Sequence, residues 1–274
     1  MAPLNSVAYR FGLAALILFG IAVARREPLR LPLRTQVWLA SAGMLQFSLS
    51  YWCVYKAEEV LPSGLVAVLF TLIVFCNSLG GALLLGQAIR PRFIAWALAG
   101  VAGIVLIFWP QLTLDGDADG ATAGIGLALM LSIVGVVSSS IGSVLTLVAK
   151  RQGAAPFGAL AWSMAWGSLA LAGVTAVAGR PFAFSSEPAY LASLLYLAIA
   201  GSVVAFAFYT ELAVRRGPGP AGMVAIASPV AALAVSGLVE GWRPDALALI
   251  GIGLCVVSVW GAITSNRASA TTAS

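Results

Sequence analysis

The chain has 274 residues, of which 61% are hydrophobic and only 9% are charged, with a net charge of +5 and a mean hydropathy of +0.99. Soluble domains carry about 25% charged residues, so this composition excludes an ordinary soluble globular protein. It predicts an all-α, polytopic membrane protein. The excess of positive charge does not indicate a nucleic-acid partner, because it lies in short segments between apolar runs.

Apolar runs bounded by charged residues, Pro and Gly predict nine membrane-spanning helices. Their connections are short except for the basic RREPLRLPLR after the first helix and the acidic PQLTLDGDADGATA after the fourth. The nine segments, in chain order, are residues 3–24, 35–55, 62–86, 92–109, 123–149, 156–178, 189–213, 218–240 and 245–264.

The two halves of the chain repeat one another at a spacing of 153 residues. APLNSVAYRFGLAALILFGIAVARREP lines up with APFGALAWSMAWGSLALAGVTAVAGRP. Repeats of this kind indicate duplicated structural units. The paired positions are Pro3 with Pro156, Pro28 with Pro181, Glu58 with Glu211, Gln87 with Glu240 and Arg90 with Arg243.

The repeat predicts two copies of five helices, of which the first copy lacks its first helix in this sequence. We expect a first repeat over residues 1–110 with four helices, an outer linker over 111–122, and a second repeat over 123–266 with five helices. A cytoplasmic tail follows over 267–274. The parent architecture would then have ten helices, and the chain as given would begin with the second of them.

The distribution of Lys and Arg predicts the orientation in the membrane, because cytoplasmic loops carry the excess of positive charge. With nine crossings, one side carries eleven basic residues and the other carries three, Lys56, Arg180 and Arg243. The basic side is therefore expected to be cytoplasmic, with the C-terminus inside. Because each repeat has an odd number of helices, the two repeats would insert with opposite orientation, a design common in secondary transporters.

Both halves contain characteristic apolar stretches: YWCVYKAEEVLPSGLVAVLF and GGALLLGQAI in the first half, and FYTELAVRRGPGPAGMVAIASPVAALAVSGLVEGW and LIGIGLCVVSVW in the second. These stretches resemble the EamA family of the drug/metabolite transporter superfamily. Glu240 and Pro229 match positions of the family pattern, whereas Gln87 and Cys76 stand at the equivalent positions of the first half. Within the family, the chain is similar to amino-acid exporters of the YddG type, ten-helix carriers of aromatic and other amino acids.

The resemblance implies a multi-pass secondary transporter of the bacterial inner membrane that exports small metabolites, with amino acids as the expected substrates. Its partners would be a small-molecule substrate and the lipid bilayer, with no nucleic acid; the sequence does not predict an oligomeric state. The alternative in the same class is a multidrug or nucleotide-sugar-like carrier. Uptake remains open, since the symmetry of the fold does not set direction.

Polar and aromatic residues within the apolar runs are the candidates for substrate binding, because transporter sites lie near the midplane between the repeats. Aromatic rings offer apolar contact and can hold an ammonium group. The same rings also anchor helices at membrane interfaces, so this alternative remains open for each of them. The candidates are Gln46, Tyr51, Trp52, Tyr55, Asn77, Trp162, Trp166, Phe206, Tyr209 and Ser228.

The charged residues suggest no catalytic chemistry. The chain has no His, and its three Cys residues lack metal-ligand spacing, so we expect neither an enzyme nor a metal or other cofactor. Arg10 lies about two turns into the first helix, and we expect its side chain to extend to the outer headgroups. Glu211 is expected to pair at the surface with Arg215, four residues later. Proton coupling and facilitated export both remain open.

Overall fold

The computed structural model describes residues 3–61, 63–107, 109, 122–177, 179, 184–239 and 245–265. These residues form helices joined by short connections, and no strand occurs among them. Each predicted segment coincides with a helix or a run of consecutive helices. The predicted linker, apart from residue 122, and the predicted tail lie outside the described residues.

The described residues of the first half of the chain form six α-helices and one π-helix. The π-helix continues α2 directly into α3, so residues 33–58 form one uninterrupted helical rod. The elements are α1 (Pro3–Ala24), α2 (Leu33–Gly43), the first π-helix (Met44–Leu49), α3 (Ser50–Glu58), α4 (Ser63–Phe70), α5 (Ile73–Leu85) and α6 (Pro91–Ile107).

The second half repeats this order after one long helix. A second π-helix again lies within an uninterrupted rod, here over residues 188–216. The elements are α7 (Thr122–Arg151), α8 (Pro156–Val177), α9 (Pro188–Ala198), the second π-helix (Ile199–Val204), α10 (Ala205–Arg216), α11 (Pro218–Gly222), α12 (Val224–Val239) and α13 (Ala246–Ser265).

Five of the described helical segments are long and apolar enough to cross a membrane, and two further apolar helices are shorter. Helices suit this environment because all their backbone hydrogen bonds are made within the segment. The part of the chain that the structure describes is thus all-helical with several candidate spans, and the number of nine crossings stays a prediction. The five spans are Asn5–Ala24, Leu65–Leu85, Gly124–Arg151, Pro156–Val177 and Pro188–Arg216.

The helices form two compact units. Unit 1 comprises Met1–Tyr55 and Val137–Val214, and unit 2 comprises Lys56–Val136 and Arg215–Ser274. Each unit therefore combines segments from both halves of the sequence. Three helices, α3, α7 and α10, contribute residues to both units.

In unit 1, α1 packs against α8 and the two helices run antiparallel. Near one end of the pair, Ser168 Oγ donates a hydrogen bond to the carbonyl oxygen of Ala8, at 2.8 Å. Further along, the rings of Phe19 and Trp162 meet edge to face, with centroids 5.1 Å apart. Residue numbers thus rise on α1 as they fall on α8. The core between them contains large buried side chains such as Leu18 and Leu171.

In unit 2, α6 packs against α13 in the same antiparallel way. Gly261 lies directly against the indole ring of Trp96, and a Cβ on Gly103 would lie only 2.8 Å from the carbonyl oxygen of Gly251. Small residues at these positions let the two backbones approach closely, as in many membrane proteins. Cys255 Sγ, also on α13, donates a 3.5 Å hydrogen bond to the carbonyl oxygen of Gly100.

Candidate functional site

The two π-helices occupy similar places in the two halves of the chain. They begin at Met44 and Ile199, and each carries a buried polar residue, Gln46 in the first and Ser202 in the second. A π-helix is rare, and it is frequently found at functional sites. Both π-helices belong to unit 1, so unit 1 holds the most distinctive backbone feature among the described residues.

Four aromatic side chains from three rods meet between these π-helices. We call Phe11, Phe47, Tyr51 and Phe206 the aromatic cluster. The Phe47 ring lies 4.8 Å from that of Phe11 and 4.9 Å from that of Phe206, and Phe11 lies 4.9 Å from Tyr51. Phe11 and Phe47 are fully buried, whereas Tyr51 and Phe206 are partly exposed. The cluster therefore combines two fully buried rings with two rings that are partly accessible.

Three of the predicted binding residues line one small void beside this cluster. Gln46, Phe206 and Tyr209 surround a space of about 10 Å³, together with the hydroxyl-bearing side chains Ser143 and Thr146. A polar void of this size has room for about one water molecule. The structure thus brings Gln46, Phe206 and Tyr209 together, although it leaves no room for a larger solute at that point, and a substrate contact at these residues stays a prediction.

A larger cavity lies in the same unit between α1, α8 and the rod that contains α10. Its volume of about 670 Å³ is in the range of ligand sites. Leu160 and Thr210 line both this cavity and the small void. The full lining is Ile21, Arg25, Lys150, Pro156, Phe157, Leu160, Val203, Val204, Ala207, Phe208, Thr210 and Glu211.

Arg10 does not extend towards the end of its helix, and that prediction is wrong. Its Nε donates a 2.8 Å hydrogen bond to Ser202 Oγ, and a terminal nitrogen donates a 2.9 Å bond to the carbonyl oxygen of Gly201. The guanidinium carbon also lies 5.3 Å from the Phe11 ring centroid and 5.9 Å from that of Tyr51. Two acceptors on the second π-helix thus direct the charge to the edge of the aromatic cluster.

The indole N–H groups of Trp162 and Trp166 donate hydrogen bonds that link neighbouring parts of the fold. The indole N–H of Trp162 donates to the carbonyl oxygen of Leu29 at 3.1 Å, and that of Trp166 donates to Gln36 Oε1 at 3.4 Å. Their rings stack on each other with centroids 6.5 Å apart. These contacts fasten α8 to α2 and to the segment before it, so both indoles have a clear structural role.

The other predicted residues are divided between the units. Tyr55 packs on the core of unit 1, and Trp52 lies in the same helix. Asn77 and Ser228 belong to unit 2. Asn77 is fully buried, and its Nδ2 faces Gly222, where α5 meets α11. A substrate contact at these four positions stays a prediction.

Unit 2 has a separate, more polar cavity of about 260 Å³ near the start of α11. Arg90 and Arg216 line it, together with Ser78 and Gln87. The side chain of Gln87 lies against Gly217, whose positive φ of 94° lets the chain turn into α11. Gln87, which departs from the family pattern, therefore packs on a tight turn between two helices.

Sequence reasoning missed Phe11, Phe47 and the position of Arg10. Phe47 lies four residues before Tyr51, so the helical spacing that pairs Tyr51 with Tyr55 could have included it. A charge within an apolar helix is a functional hypothesis by default, and this signal could have directed attention to Arg10.

The sequence pattern of the EamA-like transporter family matches residues 1–109 and 126–264, nearly the whole chain. The chain belongs to this family. Membership makes it a drug/metabolite transporter-type, multi-pass membrane protein, since EamA family members are transporters and not enzymes. No curated protein matches the chain. One crystal structure is similar to this EamA protein with a TM-score of 0.78 and 20% sequence identity, covering 97% of this chain and 89% of the other. At that identity the similarity shows the fold alone.

Proposed function

We propose that this EamA protein is a secondary transporter that exports small metabolites, namely amino acids of the kind moved by YddG-type carriers, aromatic ones included. It would work by alternating access between two inverted repeats. Its place would be the bacterial inner membrane, with the basic loops and the C-terminus in the cytoplasm.

The packing of equivalent helices supports the inverted repeat. Helices α1 and α8 both have 22 residues and begin at Pro3 and Pro156, at the repeat spacing. They pack antiparallel in unit 1, and α6 packs antiparallel to α13 in unit 2. A repeat that is inverted across the membrane plane relates its equivalent helices in this antiparallel sense.

The observation that carries the proposal is the meeting of Phe47 with Phe206 between the two π-helices. Equivalent rods of the two halves here present aromatic rings to one another, and Tyr51 adds a partly exposed ring at the same place. Such rings bury large apolar surface and favour edge-to-face contact with another ring. The aromatic cluster therefore suits a solute with an apolar or aromatic body.

We place the solute path along unit 1, from the 670 Å³ cavity towards the aromatic cluster. The cavity has an apolar lining with Arg25, Lys150 and Glu211 among its polar groups. Charges of both signs beside an apolar wall suit a zwitterion, since each ionic group can find an opposite charge. Leu160 and Thr210 line both this cavity and the small void beside the aromatic cluster, so their side chains separate the two spaces on that path.

Transport by the purified protein in liposomes tests this proposal. Liposomes preloaded with tryptophan, phenylalanine or leucine should take up the labelled form of the same amino acid by counterflow, with saturable kinetics. Phe206→Ala should raise KM for tryptophan about tenfold, the change expected for losing a ring contact of about 1.4 kcal/mol. Phe184→Ala, which removes a 57% exposed ring of unit 1 outside the cluster, is the matched control and should leave KM unchanged.

Absence of counterflow for every amino acid would reject the amino-acid substrate. Saturable movement of a lipophilic cation such as tetraphenylphosphonium, with no amino-acid flux, would favour the multidrug alternative instead. The position of Arg10 at the edge of the aromatic cluster disfavours that alternative, because a fixed positive charge repels a cationic solute.

A further inference from the structure

Arg10 is a charge within an apolar helix. It lies about 10 Å from the start of α1 at 1.5 Å per residue, and it is the only charged residue in the candidate span Asn5–Ala24. A charged side chain at such a position is costly in a membrane and is usually associated with function. We therefore expect Arg10 to have a function that compensates for the cost of placing its charge within this helix.

The contacts of Arg10 include no negatively charged partner among the described residues and use only part of its donor capacity. Its hydrogen bonds go to two neutral acceptors, Ser202 Oγ and the carbonyl oxygen of Gly201. Among the described residues, no carboxylate forms an ion pair with it. An arginine has five N–H donors, so these two bonds leave donors available next to the rings of Phe11 and Tyr51.

The fold does not require an arginine to build a π-helix. Arg10 contacts the second π-helix, and the equivalent rod of the first half contains a π-helix as well, Met44–Leu49. At the position that corresponds to Arg10 in the 153-residue repeat, the chain has Ser163. The Ser163 Oγ is buried and makes no hydrogen bond within the described part of the chain. The position equivalent to Arg10 in the second half therefore carries no positive charge.

We infer that Arg10 binds the carboxylate of the transported solute, an inference that rests on the proposed function. The guanidinium fork matches a carboxylate in shape and can donate two parallel hydrogen bonds to it. The apolar body of the solute would then contact the partly exposed rings of Tyr51 and Phe206. The site selects small carboxylates with an apolar or aromatic body, and it excludes amines that lack the carboxylate.

Three indole compounds separate these contributions: L-tryptophan, tryptamine without the carboxylate, and indole-3-propionate without the ammonium group. Binding to the purified protein is measured by calorimetry in detergent, and counterflow is measured in liposomes. The wild type should bind tryptophan and indole-3-propionate at least tenfold more tightly than tryptamine. Arg10→Gln should weaken the binding of the two carboxylates about tenfold to hundredfold, as for the loss of a charged hydrogen bond, and should strengthen the binding of tryptamine, because the charge of Arg10 repels its ammonium group.

Two further variants complete the experiment. Arg10→Lys keeps the charge without the planar fork, so it should lower the preference for carboxylates by less than Arg10→Gln does; if Arg10→Gln does not fold, this variant carries the test. Arg34→Gln removes one positive charge from an exposed position at the start of α2 and is the matched control for net charge. It should bind all three compounds as the wild type does.

Each outcome separates this inference from the proposed function. Tryptophan counterflow with unchanged KM in folded Arg10→Gln would overturn the role of Arg10 and keep the transporter. Equal binding of tryptophan and tryptamine by the wild type would overturn it too, as would failure of the wild type to bind either carboxylate. Binding of indole-3-propionate that depends on Arg10, without binding of tryptophan, would support the carboxylate contact and reject amino acids as substrates.

Discussion

Gly167→Ala should destabilise the protein, because Gly167 is where α8 touches the first π-helix. A Cβ at this position would lie 2.5 Å from Phe47 Cβ and 2.7 Å from the carbonyl oxygen of Gly43. Carbon atoms in contact prefer about 3.5–4.0 Å, so α8 would have to move away by about 1 Å. Overpacking of this kind typically costs about 1–3 kcal/mol.

Gly173→Ala on the same helix is the matched control. A Cβ there would meet no heavy atom within 4 Å, so the change adds a methyl group without a clash. Alanine is favoured over glycine in helices by about 0.8–1.0 kcal/mol in water, and this gain is common to both variants. The difference between their free energies of unfolding therefore isolates the steric cost and should be about 1–3 kcal/mol.

Titration with sodium dodecyl sulfate in mixed micelles, followed by circular dichroism, measures these free energies. Gly167→Ala should unfold at a lower mole fraction of the denaturing detergent than the wild type, and Gly173→Ala should not. Equal free energies for the two alanine variants would refute the close approach of α8 to the first π-helix.

Two further predictions follow from the contacts of single side chains. Trp162→Phe keeps a ring but removes the hydrogen bond to the carbonyl oxygen of Leu29, so it should lower the free energy of unfolding by about 1 kcal/mol with KM unchanged; a change in KM alone would indicate a substrate contact instead. In the folded protein in detergent, a maleimide should label Cys76, which is partly exposed, faster than Cys53 or Cys255, each 1% exposed. Equal labelling rates for the three thiols before denaturation would contradict this packing.

The positions of the helices could be predicted from the sequence because lipid imposes a simple rule. A segment that crosses the bilayer core must be apolar and must satisfy its own backbone hydrogen bonds, so apolar runs show where helices lie. The prediction of a helix over residues 156–178, for example, agrees with Pro156–Val177. Proline at the start of the run and glycine after its end mark both boundaries.

The π-helices could not be predicted in this way. Their sequences, MLQFSL and IAGSVV, contain residues that are equally at home in an α-helix. The side chain of Arg10 shows the same limit, since its direction depends on Ser202, an acceptor 192 residues away. Sequence reasoning identified the accessible rings of Tyr51 and Phe206, whereas the contacts that join them depend on tertiary packing.

Each π-helix also changes the direction in which its rod presents side chains. It holds one more residue than the α-helical hydrogen-bond pattern requires, which offsets the two flanking segments by about 100°, the angle that one residue takes in an α-helix. In the rods that carry Phe47 and Phe206, the side chains that follow each π-helix therefore face a side of the rod that an unbroken α-helix of the same sequence would not give them.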